Sequence, residues 1–328
     1  MKVLIITKTD ENDSVPLVSE ALQARGASVI RLDTDLYPQD LRLSSSYEGD
    51  KTRMVVASGG RRIDLGDIDA VYYRRFSAGN RLDPRQLGDT HDACYKESRL
   101  TLYGHITSMD CFHLDSLQAV RKADYKELQL REAQRLGIEC PRTLISNDPD
   151  AVLEFLTRTK GRVITKMQSQ FAIYREGEEN VVFTNELKLD DLSSLDGLRF
   201  SPMMFQEMVP KQLELRVTTV GHKVFAAAID SQVSDRAKVD WRRDGHALID
   251  SWEPFDFPAE EAEKLLKLAS WFGLNYSAAD YILTPDGRLV FLEMNAAGEW
   301  FWLQLKSGLN IAEALAEVLV DPAARRVG

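Results

Sequence analysis

The chain is poor in the features that most quickly assign a protein to a class. It has three cysteines in 328 residues, Cys94, Cys111 and Cys140. They are too few and too scattered for a disulfide framework or a zinc site, and they read as small buried hydrophobes. No apolar run approaches the roughly 18 residues of a membrane span. The opening "MKVLIITKTD" stops being apolar at Thr7 and Lys8, so it is neither a signal peptide nor an anchor. Positive charge is also in deficit, with a formal net charge of −10. That disfavours a general nucleic-acid or anionic-membrane surface, although local Lys and Arg clusters can still hold phosphates. There is no internal repeat and no low-complexity tract. No GxGxxG follows the first strand, which removes the main support for a nicotinamide oxidoreductase. The expectation is a soluble cytoplasmic protein with no nucleic-acid or membrane partner.

What is present is a large apolar fraction, 44% of residues, enough for a sizeable core and more than one domain. The first third alternates strand and helix. "VLIIT" (3–7) reads as a buried strand, and 14–26 as a helix with Ser14 as N-cap and Gly26 just past its end. Strands follow at 28–32 and 69–75, a spacing that predicts a parallel sheet with right-handed crossovers. A helix is expected over 117–136. The pattern then turns β-rich, at 162–167, 171–174 and 181–184. An acidic loop, "NELKLDDLSSLDG" (185–197), precedes a strand at 203–208. "ELRVTTV-GH-KVFAAAI" (214–229) predicts a hairpin, and 259–273 an amphipathic helix. The organisation is an α/β N-terminal domain followed by an α+β body with a β-rich insert.

The segment "ADYILTPDGRLVFLEMN" (279–295) concentrates the chemistry. Its Asp286-Gly287 pair predicts a two-residue hairpin turn. Thr284 then faces Leu289, Ile282 faces Phe291, and Asp280 faces Glu293. Asn295 lies two further on the same side, and both faces are otherwise apolar. Two carboxylates opposed in a covered hairpin are unfavourable unless something compensates them. A divalent cation does so, because two carboxylates and an amide oxygen are hard ligands of the kind Mg²⁺ takes. The other arrangement is a looser turn with the register slipped by one, leaving the acids on a solvated rim.

Upstream residues fit a phosphate partner for such a metal. Lys126 sits on a helix, and Lys166 interrupts an apolar strand, where a lysine is ordinarily an edge residue. Glu207 ends a strand, and Pro210 biases Val209 to an extended conformation that offers backbone groups to an adenine edge. Glu214 can take ribose hydroxyls, and Arg216 can reach phosphate. The order Lys…Lys…QExV…ExR…D…ExN resembles the ATP-grasp superfamily. "QLREAQRLGIECPRTLISNDP", "QEMVPKQLELRVTTVG", "VDWRR" and "YILTPDGRLVFLEMNAAGEWFWLQ" are together similar to the graspetide (microviridin-type) peptide macrocyclases, over about residues 1–320.

That resemblance implies an ATP-grasp fold. It has a Rossmann-like N-terminal domain (1–116), a helix plus β-rich lid (117–201) and a C-terminal catalytic subdomain (202–328). It implies ATP and Mg²⁺ as cofactors, and as substrate a ribosomally made precursor peptide with a leader and a core. Asp or Glu side chains of the peptide are activated as acyl phosphates and joined to Ser/Thr or Lys in ω-ester or ω-amide rings. Lys126 and Lys166 would hold phosphates, Glu207 with the Met208–Val209 backbone the adenine, and Glu214 the ribose. Asp280, Glu293 and Asn295 would bind Mg²⁺. Arg216 and Arg242 are the candidates for the reacting carboxylate or acyl phosphate. "RAKVDWRRDG" otherwise reads as a charged surface loop.

For the peptide, Arg74 and Arg75 end a strand of the first domain, one toward the cleft and the other in an ion pair. Trp300 and Trp302 can wall the peptide site, though packing is the commoner fate of such aromatics, and Trp241 is a further candidate for the peptide. Glu299 is a candidate base or a neighbour of the metal. Asp190 and Asp191 either grip a basic leader residue or are simply solvated. A homodimer is implied by the family alone. Many ATP-grasp enzymes carry a Gly-rich phosphate loop after the second lysine; here the only glycine of that stretch is Gly177, which leaves more of the neutralisation to Lys166 and Arg216. Two other readings stay open. One is an ATP-grasp ligase that adds a free amino acid to a peptide or protein carboxylate. The other is a non-catalytic ATP-binding regulator, against which the complete Asp280/Glu293/Asn295 set argues.

Overall fold

The computed structural model describes residues 1–168, 172–175, 178–181 and 184–328. The N-terminal sheet is parallel, ordered Ser28–Asp33, Lys2–Thr7, Ala70–Tyr73, Phe112–Leu114. Its central strand is fully buried from Val3 to Ile6, as expected where both faces are covered. Helix Ser14–Ala24 crosses between the first two strands, and Gly26 past its end has φ +78°. Its cap is Asp13 rather than Ser14, which is the first helical residue and accepts a hydrogen bond from Arg74 Nε at 2.9 Å. A three-stranded antiparallel sheet, Arg42–Glu48, Lys51–Ser58 and Arg61–Asp64, adds to this domain and was not read from the sequence.

The helix expected over 117–136 is two helices, Leu117–Ala123 and Lys126–Arg135, broken at Asp124-Tyr125. The break makes Lys126 the first residue of the second helix. Next comes a four-stranded antiparallel layer ordered Asn185–Glu186, Val163–Lys166, Met203–Glu207, Thr143–Ser146. Its central strand, Met203–Glu207, lies past the division proposed at 201/202. Helix Pro149–Arg158 and the 3₁₀ segment Leu189–Arg199 pack with it through Val152, Phe155, Leu195, Leu198 and Phe205. The stretch expected as an acidic loop is thus 3₁₀-helical from Leu189, with Leu195 and Leu198 held in this core. Strands Ala172–Arg175 and Glu178–Val181 form a hairpin. The strand expected over 181–184 falls partly outside the described residues; of those described, Val181 ends the strand Glu178–Val181, and Thr184 precedes Asn185–Glu186 without belonging to a strand.

The C-terminal sheet is ordered Glu253–Pro254, Lys223–Ile229, Leu213–Val220, Tyr276–Leu283, Leu289–Asn295. Gly221 turns the expected hairpin with φ +54°, and a side chain there would collide with the Ala324 carbonyl. Helix Ala259–Phe272 covers one face through Leu265, Leu268, Ala269 and Phe272. On the other face, helix Ile311–Val320 packs against Ser14–Ala24. One core therefore joins the N-terminal domain to the C-terminal sheet.

Among the described residues, the outer edge of Leu289–Asn295 pairs with no strand. Gln129 of helix Lys126–Arg135 takes both backbone groups of Met294: its amide donates to the carbonyl at 2.7 Å and its oxygen accepts from the N–H at 2.8 Å. The Phe291 N–H donates to the Glu139 carbonyl at 2.8 Å. These contacts cover an edge that would otherwise be exposed, and they fix Lys126 relative to Glu293.

Candidate nucleotide and metal site

Asp280 does face Glu293, but by a different route from the one the turn predicts. The loop closes more widely, with the Thr284 N–H donating to the Arg288 carbonyl at 3.0 Å. Tyr281 therefore faces Phe291, Ile282 faces Val290, and Leu283 faces Leu289. A bulge between Asp280 and Tyr281 then absorbs one residue and restores the carboxylate pair. As a consequence Phe291 lies with Tyr281 in the core under helix Ala259–Phe272, not on the carboxylate face.

Around this pair the side chains converge. The Asn295 amide nitrogen is 3.5 Å from Asp280 Oδ2 and 3.4 Å from Glu293 Oε1, so one oxygen of each carboxylate aims at a common point. Turning the amide over would present its own oxygen there. Among the described residues there is no cluster of three or more His, Cys, Asp or Glu side chains. The donor set is two carboxylates and an amide, hard oxygens that fit Mg²⁺ rather than zinc.

Three cations balance the acids. Lys126 Nζ is 3.3 Å and Lys166 Nζ 3.6 Å from Glu293 Oε2. Arg216 Nη1 donates to Asp280 Oδ1 at 2.6 Å, and its Nη2 donates to the Glu299 carbonyl at 3.2 Å. Burial pushes the Glu293 carboxyl up, but Lys166, Lys126 and Arg242 outweigh it and hold the group well below the usual carboxylate range. The lysines come from different bodies, one from a helix tied to the metal strand and one from the β-rich layer. Their ammonium groups meet at Glu293 Oε2.

Toward the layer, the Glu207 N–H donates to the Arg142 carbonyl at 2.9 Å and the Met208 N–H to the Arg162 carbonyl at 3.0 Å. Glu207 and Met208 thus spend their N–H groups within the layer, and Val209, half-buried, follows them. Glu214 pairs with Lys211 at 2.6 Å; burial raises its carboxyl above the usual range despite that lysine.

Arg242 grips Asp240 with Nε at 2.8 Å and Nη2 at 2.6 Å. That hydrogen bonding holds its charge, with Asp280 and Glu293 contributing from the site. The partner Asp240 escaped the sequence reading, although Asp-x-Arg in "VDWRR" is the spacing that a side-on fork requires.

The residues assigned to the peptide are placed very differently. Arg74 and Arg75 do not divide their tasks. Both ion-pair Glu299, and both reach Glu11, at 3.5 and 3.2 Å. Asn12 Nδ2 also donates to Glu299, at 2.9 Å. Glu299 is therefore clamped by two guanidiniums and the Asn12 amide, which tie it to the N-terminal domain. Trp300 is fully buried in the shared core and walls no cleft. Trp241 packs edge-on to Trp252, centroids 5.2 Å apart. The Asp191 carboxylate accepts from the Lys188 N–H at 2.8 Å, capping the 3₁₀ segment; the side chain of Asp190 lies outside the described residues.

Comparison with known proteins identifies the family. A family model for the MvdD pre-ATP grasp domain matches residues 2–121. The Pseudoalteromonas atlantica protein named probable alpha-L-glutamate ligase 2 is 22% identical, over 86% of this chain and 94% of its own. Solved structures are nearer. Macrocyclase MdnC of Microcystis aeruginosa, bound with precursor peptide MdnA, is 41% identical, covers 98% of this chain and 100% of its own, and superposes with a TM-score of 0.90. The Chryseobacterium gregarium RiPP-associated ATP-grasp ligase, in complex with ADP and a leader and core peptide, is 39% identical, covers 100% and 98%, and gives a TM-score of 0.94. The fold is thus the ATP-grasp fold expected from the motif order, and the activity it carries is that of a ligase joining carboxylates to amines or alcohols. Within that class the chain belongs to the graspetide family of ATP-grasp peptide macrocyclases.

Proposed function

We propose that this protein uses Mg·ATP to cyclise a ribosomally made precursor peptide, linking Asp or Glu side chains to Ser/Thr hydroxyls or Lys amines of the same peptide. The observation that carries it is the convergence of Asp280, Glu293 and Asn295 beneath Lys126, Lys166 and Arg216. When bound, Mg·ATP supplies the phosphoryl group that turns a carboxylate oxygen into a leaving group, after which the hydroxyl or amine displaces phosphate and loses its proton.

The chain's own residues do the rest. Asp280, Glu293 and Asn295 hold the metal. Lys126 and Lys166 leave Glu293 for the phosphates, where their charge opposes the developing negative charge. Glu207 and the Met208–Val209 backbone take the adenine, Val209 having its N–H beyond the two used inside the layer, and Glu214 takes the ribose. Arg216 and Arg242 orient the carboxylate being activated. The β-rich layer closes over the site and excludes water from the acyl phosphate. Asp190 and Asp191 stay the proposed contacts for a basic leader residue, and a homodimer in the cytoplasm remains part of this reading; light scattering of the purified protein tests the dimer. Among the described residues no helix is long and apolar enough to cross a membrane.

The test is incubation with the peptide encoded beside the gene, ATP and Mg²⁺, read by mass spectrometry. Each ring removes one water from the peptide, and ADP and phosphate appear in equal amounts. A second reading, addition of a free amino acid to a carboxylate, is favoured by the likeness to the alpha-L-glutamate ligases. Glutamate in the same incubation separates the two, since addition raises the peptide mass and cyclisation lowers it. ATP binding with no ADP release and no change in peptide mass would leave only a non-catalytic nucleotide-binding regulator.

A further inference from the structure

The loop Asp240–Arg243 bridges the β-rich layer, through Asp240 and Arg243, and the C-terminal core, through Trp241. Asp240, 5% exposed, accepts the Arg242 fork and also the Thr184 N–H, at 3.4 Å. Trp241 packs on Trp252 and, at 6.1 Å between centroids, on Trp302, whose ring lies 5.7 Å from the Arg216 guanidinium. Arg243 donates to the Thr184 carbonyl at 2.8 Å and to Asn185 Oδ1 at 2.7 Å. Thr184 is thus held at both of its backbone groups. It leads directly into Asn185–Glu186, which pairs with the strand carrying Lys166.

From this geometry we infer that Asp240–Arg243 is a latch that couples seating of the β-rich layer to the aim of Arg242, with Asp240 as the positioning residue. The inference rests on the proposed function for what Arg242 then does. One buried carboxylate serves two partners. With the layer seated, the Thr184 N–H shares Asp240 Oδ2 with Arg242 Nη2 while Arg242 Nε holds Oδ1, and Arg243 fixes the strand against sliding. With the layer lifted, Asp240 loses a donor, and Arg242 loses part of what orients the carboxylate it grips. The Asp240 fork engages Nε and Nη2, so Nη1 is the part of the guanidinium not committed by that pair. Capture of substrate under the layer and orientation of the activating arginine become one event. An acyl phosphate would then be formed only in a closed site.

Two measurements test this. The first is amide hydrogen exchange at 184–187 in the nucleotide-free protein. Arg243→Ala should speed it about tenfold, and Arg243→Lys, which keeps a donor, by less; unchanged exchange in Arg243→Ala overturns the latch. The second is ADP release with Mg·ATP and the precursor peptide. Arg243→Ala should lower kcat about tenfold while KM for ATP stays within about threefold, since the loss is of orientation rather than nucleotide contact. The double variant Asp240→Asn/Arg243→Ala should be no slower than Asp240→Asn alone, because both act through one coupling. Additive losses, or a loss confined to KM, overturn the inference. A wild type that releases no ADP defeats the proposed function instead, and the exchange comparison still decides on the latch.

Discussion

Two charge clusters stand side by side in this molecule, and they are built on opposite principles. In the first, Asp280 and Glu293 are met by two lysines, an arginine and an amide at mostly 3.3 to 3.6 Å, with a single short contact at 2.6 Å. In the second, Glu11 and Glu299 are met by two arginines, with Ser14 and Asn12 completing the bonding. An ammonium is a point charge on a flexible stem, able to exchange one anion for another. A guanidinium fork is rigid and favours one partner. The first cluster is arranged to be rearranged by a ligand, while the second locks the N-terminal domain to the loop after the metal strand. Arg216 joins them, bonding Asp280 on one side and the Glu299 carbonyl on the other.

The sharpest way to break the comparison is at a lysine. Lys126→Met should lower ADP release with peptide by about a hundredfold to a thousandfold, the range for loss of one preorganised charge at a transferring group. Its melting temperature should stay near that of the wild type, since Lys166 still faces Glu293. Steady-state ADP release and calorimetry on the same preparation check this. A large stability loss with retained turnover would make Lys126 structural.

The mirror experiment is in the arginine cluster. The Arg74 side chain is 3% exposed and that of Glu11 is 2% exposed. Arg74→Met leaves buried Glu11 with Arg75 and the Asn12 N–H alone, and breaking a buried pair from one side costs about 3–5 kcal/mol. Denaturant unfolding should show that loss, with nucleotide affinity little changed at temperatures where the variant is folded.

How much of this was legible follows from what each feature depends on. The parallel sheet, the hairpin at Gly221 and the Lys–Glu–Arg–Asp–Glu–Asn order are local patterns, and they were readable. Asp280 opposite Glu293 was read correctly for an incomplete reason. The turn is wider than Asp-Gly predicts, and a bulge compensates; the length of a bulge is set by the partner strand, not by the residues beside it. The Glu11–Arg74–Arg75–Glu299 cluster joins positions more than 200 residues apart, and no spacing in the chain announces it. Gln129 was missed because a buried glutamine in "KELQLREAQR" looks like any polar residue of a helix until the uncovered strand edge beside it is seen.

A smaller effect probes how the two halves are tied together. The buried Asp115 carboxylate accepts the N–H groups of Asn275 and Tyr276 at 2.9 and 2.8 Å, at the start of the strand that leads to Asp280. Burial pushes its carboxyl up to about 7 against those hydrogen bonds and the nearby Arg326. A carboxyl raised on folding stabilises fully below its unfolded value, and that contribution is lost as pH rises through the folded one. The wild type should therefore lose stability relative to Asp115→Asn between about pH 4 and pH 7, by about 4 kcal/mol at most. Unfolding of both proteins across that range gives the difference directly. A difference that is flat, or that grows with pH, would mean the two N–H bonds hold Asp115 ionised.

The smallest effect separates the two arginines of the second cluster. Arg75 contacts the same carboxylates as Arg74, but its side chain is 41% exposed. Water can therefore take over much of its work when it is removed, and an exposed ion pair is worth about 0–1 kcal/mol. Arg75→Ala should cost no more than that in denaturant unfolding, although its contacts are drawn to the same two acids. If burial rather than the number of contacts decides the strength of the lock, the Arg74 and Arg75 variants will differ by several-fold in their stability loss. Equal losses would place the lock in the pair of forks acting as a unit, and Arg75 would then belong to the rigid half of the comparison despite facing solvent.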